Sequence, residues 1–313
     1  MSAPALRSPN AALARSRSIQ LVSFAVVCGL LLVALYAIAV RTRWGQTVDD
    51  AALDGRSMRA AVLAATDRVL NTISIASLVL GSAAIMLVAL ARRRPHLALT
   101  AAVVIAGSNL TTEVMKKVSL GRPAFAGLTD PLGLHNTFPS GHSTVAMSLA
   151  VGVVIVVPAR ARLVATFGGL AYATLVGAGT VTAGWHRPSD VVGAYLVVMV
   201  WAGGSLAFLI VTEGAEQSRP VRLLERVPSM SPFFAGVGVG LLFGAMIGVA
   251  GTLVAARDQQ LDAVDLGAAY AASIATIAGV ALILLVSLLS MLRDLSLDPP
   301  DADVAPVRDV ALA

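Results

Sequence analysis

Two polar clusters interrupt long apolar runs, and each contains a histidine where a membrane-spanning helix would meet water. The first is the run P-S-G-H that ends at His142, and the second contains His186 and Asp190. A carboxylate four residues after a histidine can fix the imidazole tautomer, which leaves the other ring nitrogen free as a nucleophile. The second imidazole can then protonate the departing oxygen as a general acid.

A third cluster supplies positive charge. Lys116 and Lys117 end an apolar run, and Arg122 follows within the sequence G-R-P. A phosphoryl group in transfer spreads negative charge over its oxygens, and arginine can bind two of them at once. Lysines at the end of a span also serve as interfacial anchors, so the pair alone has a structural explanation. Cations beside two histidines and a carboxylate indicate chemistry on a phosphate ester.

The residues before His142 have the pattern of a helix start. Ser140 can cap the first turn, and Gly141 lets the backbone approach a ligand closely. The free N–H groups of such a turn bind anions, so His142 would lie beside a bound phosphate. Taken singly, each cluster is also explained structurally, with His186 as an interfacial histidine and Asp190 as a cap that the helix dipole favours. Their occurrence at one membrane face indicates a site.

The composition requires lipid as the solvent for much of the chain. Of 313 residues, 57% are hydrophobic and 13% are charged, whereas soluble domains contain about 25% charged residues. We therefore predict an all-α polytopic membrane bundle of about eight transmembrane helices. The predicted spans are residues 19–40, 73–91, 97–115, 143–157, 163–183, 191–211, 233–255 and 268–292.

The charge and the cysteine content exclude other classes. The net charge is +5 and the pI is about 10, but the basic residues are spread over short loops and fit a role in membrane topology. No nucleic-acid partner is expected. Cys28 is the single cysteine, so no intrachain disulfide and no thiolate metal site are expected.

We divide the chain into four parts. Residues 1–18 are expected to form a flexible basic tail, and residues 19–212 the membrane core. Residues 213–292 are expected to hold a loop and two additional spans, and residues 293–313 a disordered tail. The run 19–40 is longer than the apolar part of a signal peptide, so we interpret it as a retained first span. Residues 49–70 have the pattern of an amphipathic surface helix.

The distribution of arginine predicts the orientation. With the N-terminus inside, dense basic clusters fall in segments on the cytoplasmic side. These clusters are Arg7, Arg15 and Arg17; Arg92, Arg93 and Arg94; Arg160 and Arg162; and Arg219, Arg222 and Arg226. The histidine clusters then face the extracytoplasmic side of a cell membrane.

The order of the three clusters resembles the type 2 phosphatidic acid phosphatase superfamily (PAP2), whose signatures are K-x6-R-P, P-S-G-H and S-R-x5-H-x3-D. The resemblance implies a core of six of these helices, with the last two spans outside it. It also implies a metal-independent phosphatase with a phosphohistidine intermediate and no cofactor. It assigns His186 as the nucleophile, Asp190 as the residue that orients it and His142 as the proton donor. The implied phosphate-binding residues are Lys116, Arg122, Ser140 and Gly141.

The chain departs from these signatures at two places. Five residues, not six, separate Lys116 from Arg122, so Lys117 remains an alternative to Lys116. The Ser-Arg pair of the third signature falls on Gly179 and Thr180, so the second phosphate-binding arginine is missing. Arg187 is a candidate substitute. Losing one charge-assisted contact costs about 1.5–3 kcal/mol, which weakens turnover but need not abolish it. An inactive relative of the family remains an alternative.

The expected substrate is a membrane lipid phosphate or diphosphate, of the polyprenyl diphosphate or phosphatidate type. Such a lipid keeps its anionic head group at the interface while its tail stays in the membrane. Two alternatives stay open. A lipid phosphotransferase would use an acceptor hydroxyl in place of water, and a transporter or channel would move a substrate without cleaving it. The sequence leaves the oligomeric state open.

Overall fold

A computed structural model of the protein describes residues 9–56, 66–68, 70–71, 75–125, 132, 136–213, 216–217, 231–258, 261–292 and 295–296. Within these ranges the chain forms nine α-helices and two strands of two residues each, so the predicted helical bundle is confirmed. The helices are α1 (Pro9–Leu35), α2 (Arg43–Asp54), α3 (Ile75–Ala91), α4 (Pro95–Val114), α5 (Gly141–Val156), α6 (Arg162–Thr182), α7 (Pro188–Glu213), α8 (Ser231–Ala255) and α9 (Ala263–Leu292).

Eight of these helices are apolar, but fewer than the eight predicted spans are long enough to cross a membrane. Six are long enough to cross a membrane, namely α1 with its π-helical extension Tyr36–Val40, α4, α6, α7, α8 and α9. The apolar parts of α3 and α5, Ser77–Ala91 and Gly141–Val156, are shorter. Only α2 is polar on average among the nine helices of the described ranges.

Helix α7 lies at the centre of the bundle. In its most apolar window 67% of the residues are buried, against 11% in α1 and in α8. It packs along α1 and also contacts α4 and α5, while α5 packs between α4 and α6. The outer faces of α1 and α8 carry exposed Val, Leu and Phe side chains. A central α7 matters because its first turn carries Asp190.

Helix α2 is shorter and more deeply packed than the surface helix predicted for residues 49–70. It ends at Asp54, and residues 57–65 lie outside the described ranges. Asp49 and Asp50 are 4% and 5% exposed, because α2 packs against α9 and contacts α7. The polar face of this helix therefore points into the protein, and the prediction of a surface helix is corrected.

The ends of the chain also differ in detail from expectation. Helix α1 begins at Pro9, inside the segment expected to be a flexible tail, and residues 1–8 lie outside the described ranges. Leu295–Ser296, inside the segment expected to be disordered, pairs antiparallel with Glu216–Gln217. Gly238 of α8 lies against Gly279 of α9, where a Cβ would meet the opposing backbone, so these two additional helices pack closely.

Candidate active site

His186 and Asp190 face each other at the start of α7. Nδ1 of His186 lies 3.3 Å from Oδ2 of Asp190. The same carboxylate oxygen accepts hydrogen bonds from Oγ1 of Thr137 at 2.6 Å and from the backbone N–H of Arg187 at 2.9 Å. Asp190 is fully buried and His186 is 8% exposed. The carboxylate is thus held in place, and it directs Nε2 of His186 away from itself.

His142 lies at the start of α5, where the sequence predicted a helix cap. Oγ of Ser140 accepts a hydrogen bond from the N–H of Ser143 at 3.3 Å, which caps the first turn. The backbone N–H of Ser140 donates to the carbonyl of Asp190 at 2.9 Å, so the first turns of α5 and α7 are joined. This link brings the imidazole centroids of His142 and His186 to 6.3 Å.

The two candidate lysines lie in different surroundings at the end of α4. A π-helical turn, Met115–Ser119, carries both. A Cβ built on Gly141 would lie 3.4 Å from Nζ of Lys116, so this ammonium group reaches the capped start of α5. Lys117 is 72% exposed and pairs with Glu113 at 2.6 Å, whereas Lys116 lies 4.0 Å from that carboxylate. The geometry favours Lys116 as the lysine that faces a ligand.

Arg122 and Arg187 converge on one carboxylate of α2. Nε of Arg187 donates to Oδ1 of Asp50 at 2.8 Å, and NH2 of Arg122 lies 3.6 Å from the same oxygen. The Arg122 side chain is 4% exposed and Arg187 is fully buried. Arg187 therefore points toward α2, which disfavours it as the substitute for the missing arginine.

Asp49, the neighbour of Asp50, holds the first turn of α7. Its carboxylate accepts hydrogen bonds from the backbone N–H of Ser189 at 3.2 Å and from the Ser189 hydroxyl. Burial, and next the negative charge of Asp190, raise the pKa of Asp49 to about 7. The charged groups of this cluster are thus crowded into a region that excludes water.

The guanidinium of Arg122 is also buried among charged groups. Burial lowers its pKa, and the nearby charge of Arg187 lowers it further against the opposing pull of the surrounding carboxylates. Arginine remains charged in proteins at neutral pH all the same. A buried cation next to a second cation provides strong attraction for a phosphate, because the low local dielectric strengthens charge interactions.

Three side chains far apart in the sequence fix the backbone around Arg122. The hydroxyl of Tyr36 donates to the carbonyl of Gly121 at 2.7 Å. Nε2 of Gln46 donates to the carbonyl of Pro123 at 2.9 Å. Nδ2 of Asn136 donates to the carbonyl of Leu120 at 3.1 Å and, in the loop before α5, to that of Phe138 at 3.1 Å. The cation cluster and the P-S-G-H loop are thus tied together.

Sequence reasoning missed several residues of this site. They are Tyr36, Gln46, Asn136 and Thr137, while Asp49 and Asp50 were included only in the predicted surface helix 49–70. The one available signal was the pair of adjacent carboxylates, which is unusual in a chain with so few charges. The asparagine and threonine precede P-S-G-H and have no distinguishing pattern.

The position that lacks the expected arginine lies in the last turn of α6. Thr180 is fully buried, and its hydroxyl donates to the carbonyl of Gly177 at 2.8 Å. Its own carbonyl accepts hydrogen bonds from the N–H groups of Trp185 and His186 at 2.9 and 3.2 Å. Thr180 therefore shapes the turn before the candidate nucleophile without supplying a charge.

Within the described ranges, no three His, Cys, Asp or Glu side chains are grouped as a metal site would require. The residues brought together are two imidazoles, a fixed carboxylate, two cations and a capped helix start. They can bind a small anion and offer it a nucleophile and an acid.

Comparison with known proteins gives one match. Residues 97–213 match the family model described as the PAP2 superfamily. No curated protein and no solved structure matched the chain. The matched segment runs from α4 to the end of α7 and includes both histidines and Asp190. It leaves α1, α2, α3, α8 and α9 outside.

Proposed function

We propose that the protein hydrolyses a lipid phosphate or diphosphate in the membrane, because residues 97–213 match the PAP2 superfamily model and such a match implies phosphatase activity on phosphate esters. The observation that carries this proposal is the pair of imidazole rings with centroids 6.3 Å apart, one of them held by Asp190. At that separation one phosphoryl group can contact both rings.

In the first step, Nε2 of His186 attacks phosphorus and the bond to the leaving oxygen breaks. The leaving oxygen takes the electron pair of that bond and a proton from His142, so a neutral alcohol or a phosphate departs. Asp190 keeps the proton on Nδ1 of His186 and stabilises the positive charge that develops on the ring. The product of this step is a phosphohistidine.

In the second step, water replaces the leaving group. The now neutral His142 removes a proton from water, whose oxygen attacks phosphorus. The P–N bond breaks, and its electron pair returns to His186 while inorganic phosphate departs. The balance is one ester and one water consumed, and one alcohol and one phosphate formed.

The phosphate oxygens have a defined set of binding groups in this scheme. Lys116 and Arg122 supply positive charge, and the first turn of α5 from Ser140 and Gly141 supplies N–H groups. Gly141 has no side chain, and a Cβ there would crowd the ammonium of Lys116. In this scheme the phosphate is bound by groups at the end of α4 and the start of α5, and the nucleophile His186 lies at the start of α7.

The position of the site supports the choice of a lipid substrate. His142 and His186 lie at the ends of apolar helices, so a lipid can keep its tail in the bilayer and present its head group to both rings. Candidates are polyprenyl diphosphates and phosphatidate-type lipids. The arginine distribution supports an extracytoplasmic site in a cell membrane.

The test is a phosphate-release assay on the purified protein with both lipid types and excess EDTA. We expect release to persist in EDTA and to vanish in His186→Ala. His96→Ala is the matched control because this histidine is in the first turn of α4, at the opposite end of that helix from Lys116. Full turnover in the His186 variant would refute the mechanism.

A trapping experiment tests the intermediate directly. Brief reaction with a 32P-labelled substrate followed by alkaline denaturation should leave label on the protein, since phosphohistidine is stable to alkali and labile to acid. The label should be absent from His186→Ala. Label that survives acid and not alkali would indicate a different nucleophile.

A further inference from the structure

Arg56 lies beside the turn that carries His186. This arginine follows α2, and its NH1 donates to the carbonyl of Leu53 at 2.8 Å. Its guanidinium rests on Gly184: a Cβ built there would lie 2.7 Å from Cζ and 2.9 Å from both Nε and NH2. Gly184 has a φ of +73° and no side chain. The glycine therefore leaves the space that the guanidinium fills.

The turn beneath Arg56 has a fixed geometry. The N–H of Gly184 donates to the carbonyl of Val181 at 2.9 Å, and the N–H groups of Trp185 and His186 donate to Thr180. Two Cα–Cα steps of about 3.8 Å connect Gly184 to His186, so the guanidinium lies within roughly 12 Å of the His186 Cα. A phosphoryl group bound to Nε2 of an extended His186 side chain would lie at a comparable distance from the His186 Cα.

The other two arginines of the described site already have roles. Arg187 is fully buried and donates to Asp50. Arg122 lies 3.6 Å from the same oxygen and already binds the phosphate together with Lys116 in the proposed mechanism. Thr180 supplies no charge in the last turn of α6. Arg56 is half-buried and, among the described residues, its hydrogen bond to Leu53 uses one of five donors.

We propose that Arg56 binds the phosphoryl group opposite Lys116 and takes the place of the arginine missing at Thr180. The inference rests on the proposed function and extends the site to α2, outside the matched segment. A guanidinium held by Leu53 at one nitrogen and packed on Gly184 is already oriented, so its remaining N–H groups bind two phosphate oxygens with little loss of side-chain entropy.

The test uses Arg56→Gln, which keeps a donor for the Leu53 carbonyl and removes the charge. Phosphate release and inhibition by orthovanadate, a phosphate analogue, are measured on purified protein. We expect kcat/KM to fall roughly 10- to 100-fold and the vanadate inhibition constant to rise by a similar factor. Arg56→Lys should recover part of both losses, because it restores charge without the planar fork.

The matched control is Arg43→Gln, at the exposed start of α2, for which both quantities should stay within twofold of wild type. Unfolding temperature separates binding from folding: all three variants should unfold within a few degrees of wild type. If Arg56→Gln does not fold, the vanadate inhibition constant of Arg56→Lys is compared with that of the wild type. An unchanged constant overturns the inference.

Failure of the two proposals is distinguishable. If the wild-type protein releases no phosphate from any lipid, the proposed function fails. If the wild type is active and Arg56→Gln keeps both its kcat/KM and its vanadate constant, the function stands and the role of Arg56 is overturned.

Discussion

Asp50 and Arg187 form a buried ion pair, with Oδ1 of Asp50 accepting a hydrogen bond from Nε of Arg187 at 2.8 Å. The two residues belong to α2 and to the turn beside His186, so the pair joins a helix outside the matched segment to the candidate nucleophile. The same oxygen attracts Arg122 at 3.6 Å. This carboxylate thus attracts two cations that repel each other.

Asp50→Asn should destabilise the protein and reduce its activity. Removing one partner of a buried ion pair leaves an uncompensated charge and costs about 3–5 kcal/mol. Here it leaves two cations, so Arg122 is also displaced and the KM for the lipid phosphate should rise. Thermal unfolding in detergent and steady-state kinetics measure both effects. Asp54→Asn, at the exposed end of α2, is the control and should change neither.

Asp190→Asn should lower kcat much more than it raises KM. An asparagine of the same shape accepts the bond without charge or presents a donor to Nδ1, so His186 loses its preferred tautomer and the stabilisation of its positive charge. By analogy with other histidine–carboxylate pairs the loss is roughly 10²–10⁴-fold. An unchanged kcat would contradict the assigned role.

Thr137→Val tests the support of that carboxylate. It removes the 2.6 Å hydrogen bond to Oδ2 of Asp190 and leaves the charge intact. A neutral donor to a charged acceptor contributes about 1.5–3 kcal/mol, so kcat should fall roughly 10- to 100-fold. The measurement is kcat with the substrate used for Asp190→Asn, and a loss as large as that of the aspartate variant would argue against a merely supporting role.

His142→Ala should affect poor leaving groups most. A proton donor is needed when the departing oxygen is an alkoxide, and much less when it is a stable phenolate. With p-nitrophenyl phosphate the variant should retain far more of the wild-type rate than with an alkyl phosphate. Measuring kcat/KM over a series of leaving-group pKa values gives the comparison. Equal losses across the series would remove His142 from the role of general acid.

The stability of the protein should fall as pH rises from about 4 to about 7 through the titration of Asp49. Its pKa is raised from 3.8 to about 7 by burial and by the charge of Asp190. Between these values the folded state binds a proton that the unfolded state has lost, so raising the pH favours unfolding. Above pH 7 this contribution is constant.

Asp49→Asn isolates that contribution, since the amide keeps an acceptor for Ser189 and cannot titrate. From pH 4 to pH 7 the unfolding temperature of the wild type should fall steadily relative to that of the variant. Above pH 7 the difference between the two should stay constant. A difference that is flat over this range would show that Asp49 titrates normally.

The local sequence determined the helical bundle and the candidate chemistry. Apolar runs of span length need internally bonded helices in lipid, and the capped helix start at Ser140 and the His186–Asp190 spacing are fixed within a few residues of chain. These features depend on near neighbours, so they are visible in the sequence.

Only the tertiary structure decided which groups α2 brings to the site. Asp50 meets Arg187 across 137 positions of sequence, and Asp49 meets Ser189 across 140. The same packing decided between Lys116 and Lys117, turned Arg187 toward α2 and placed Arg56 on Gly184. No local pattern encodes such contacts, because they depend on how separate helices pack against one another.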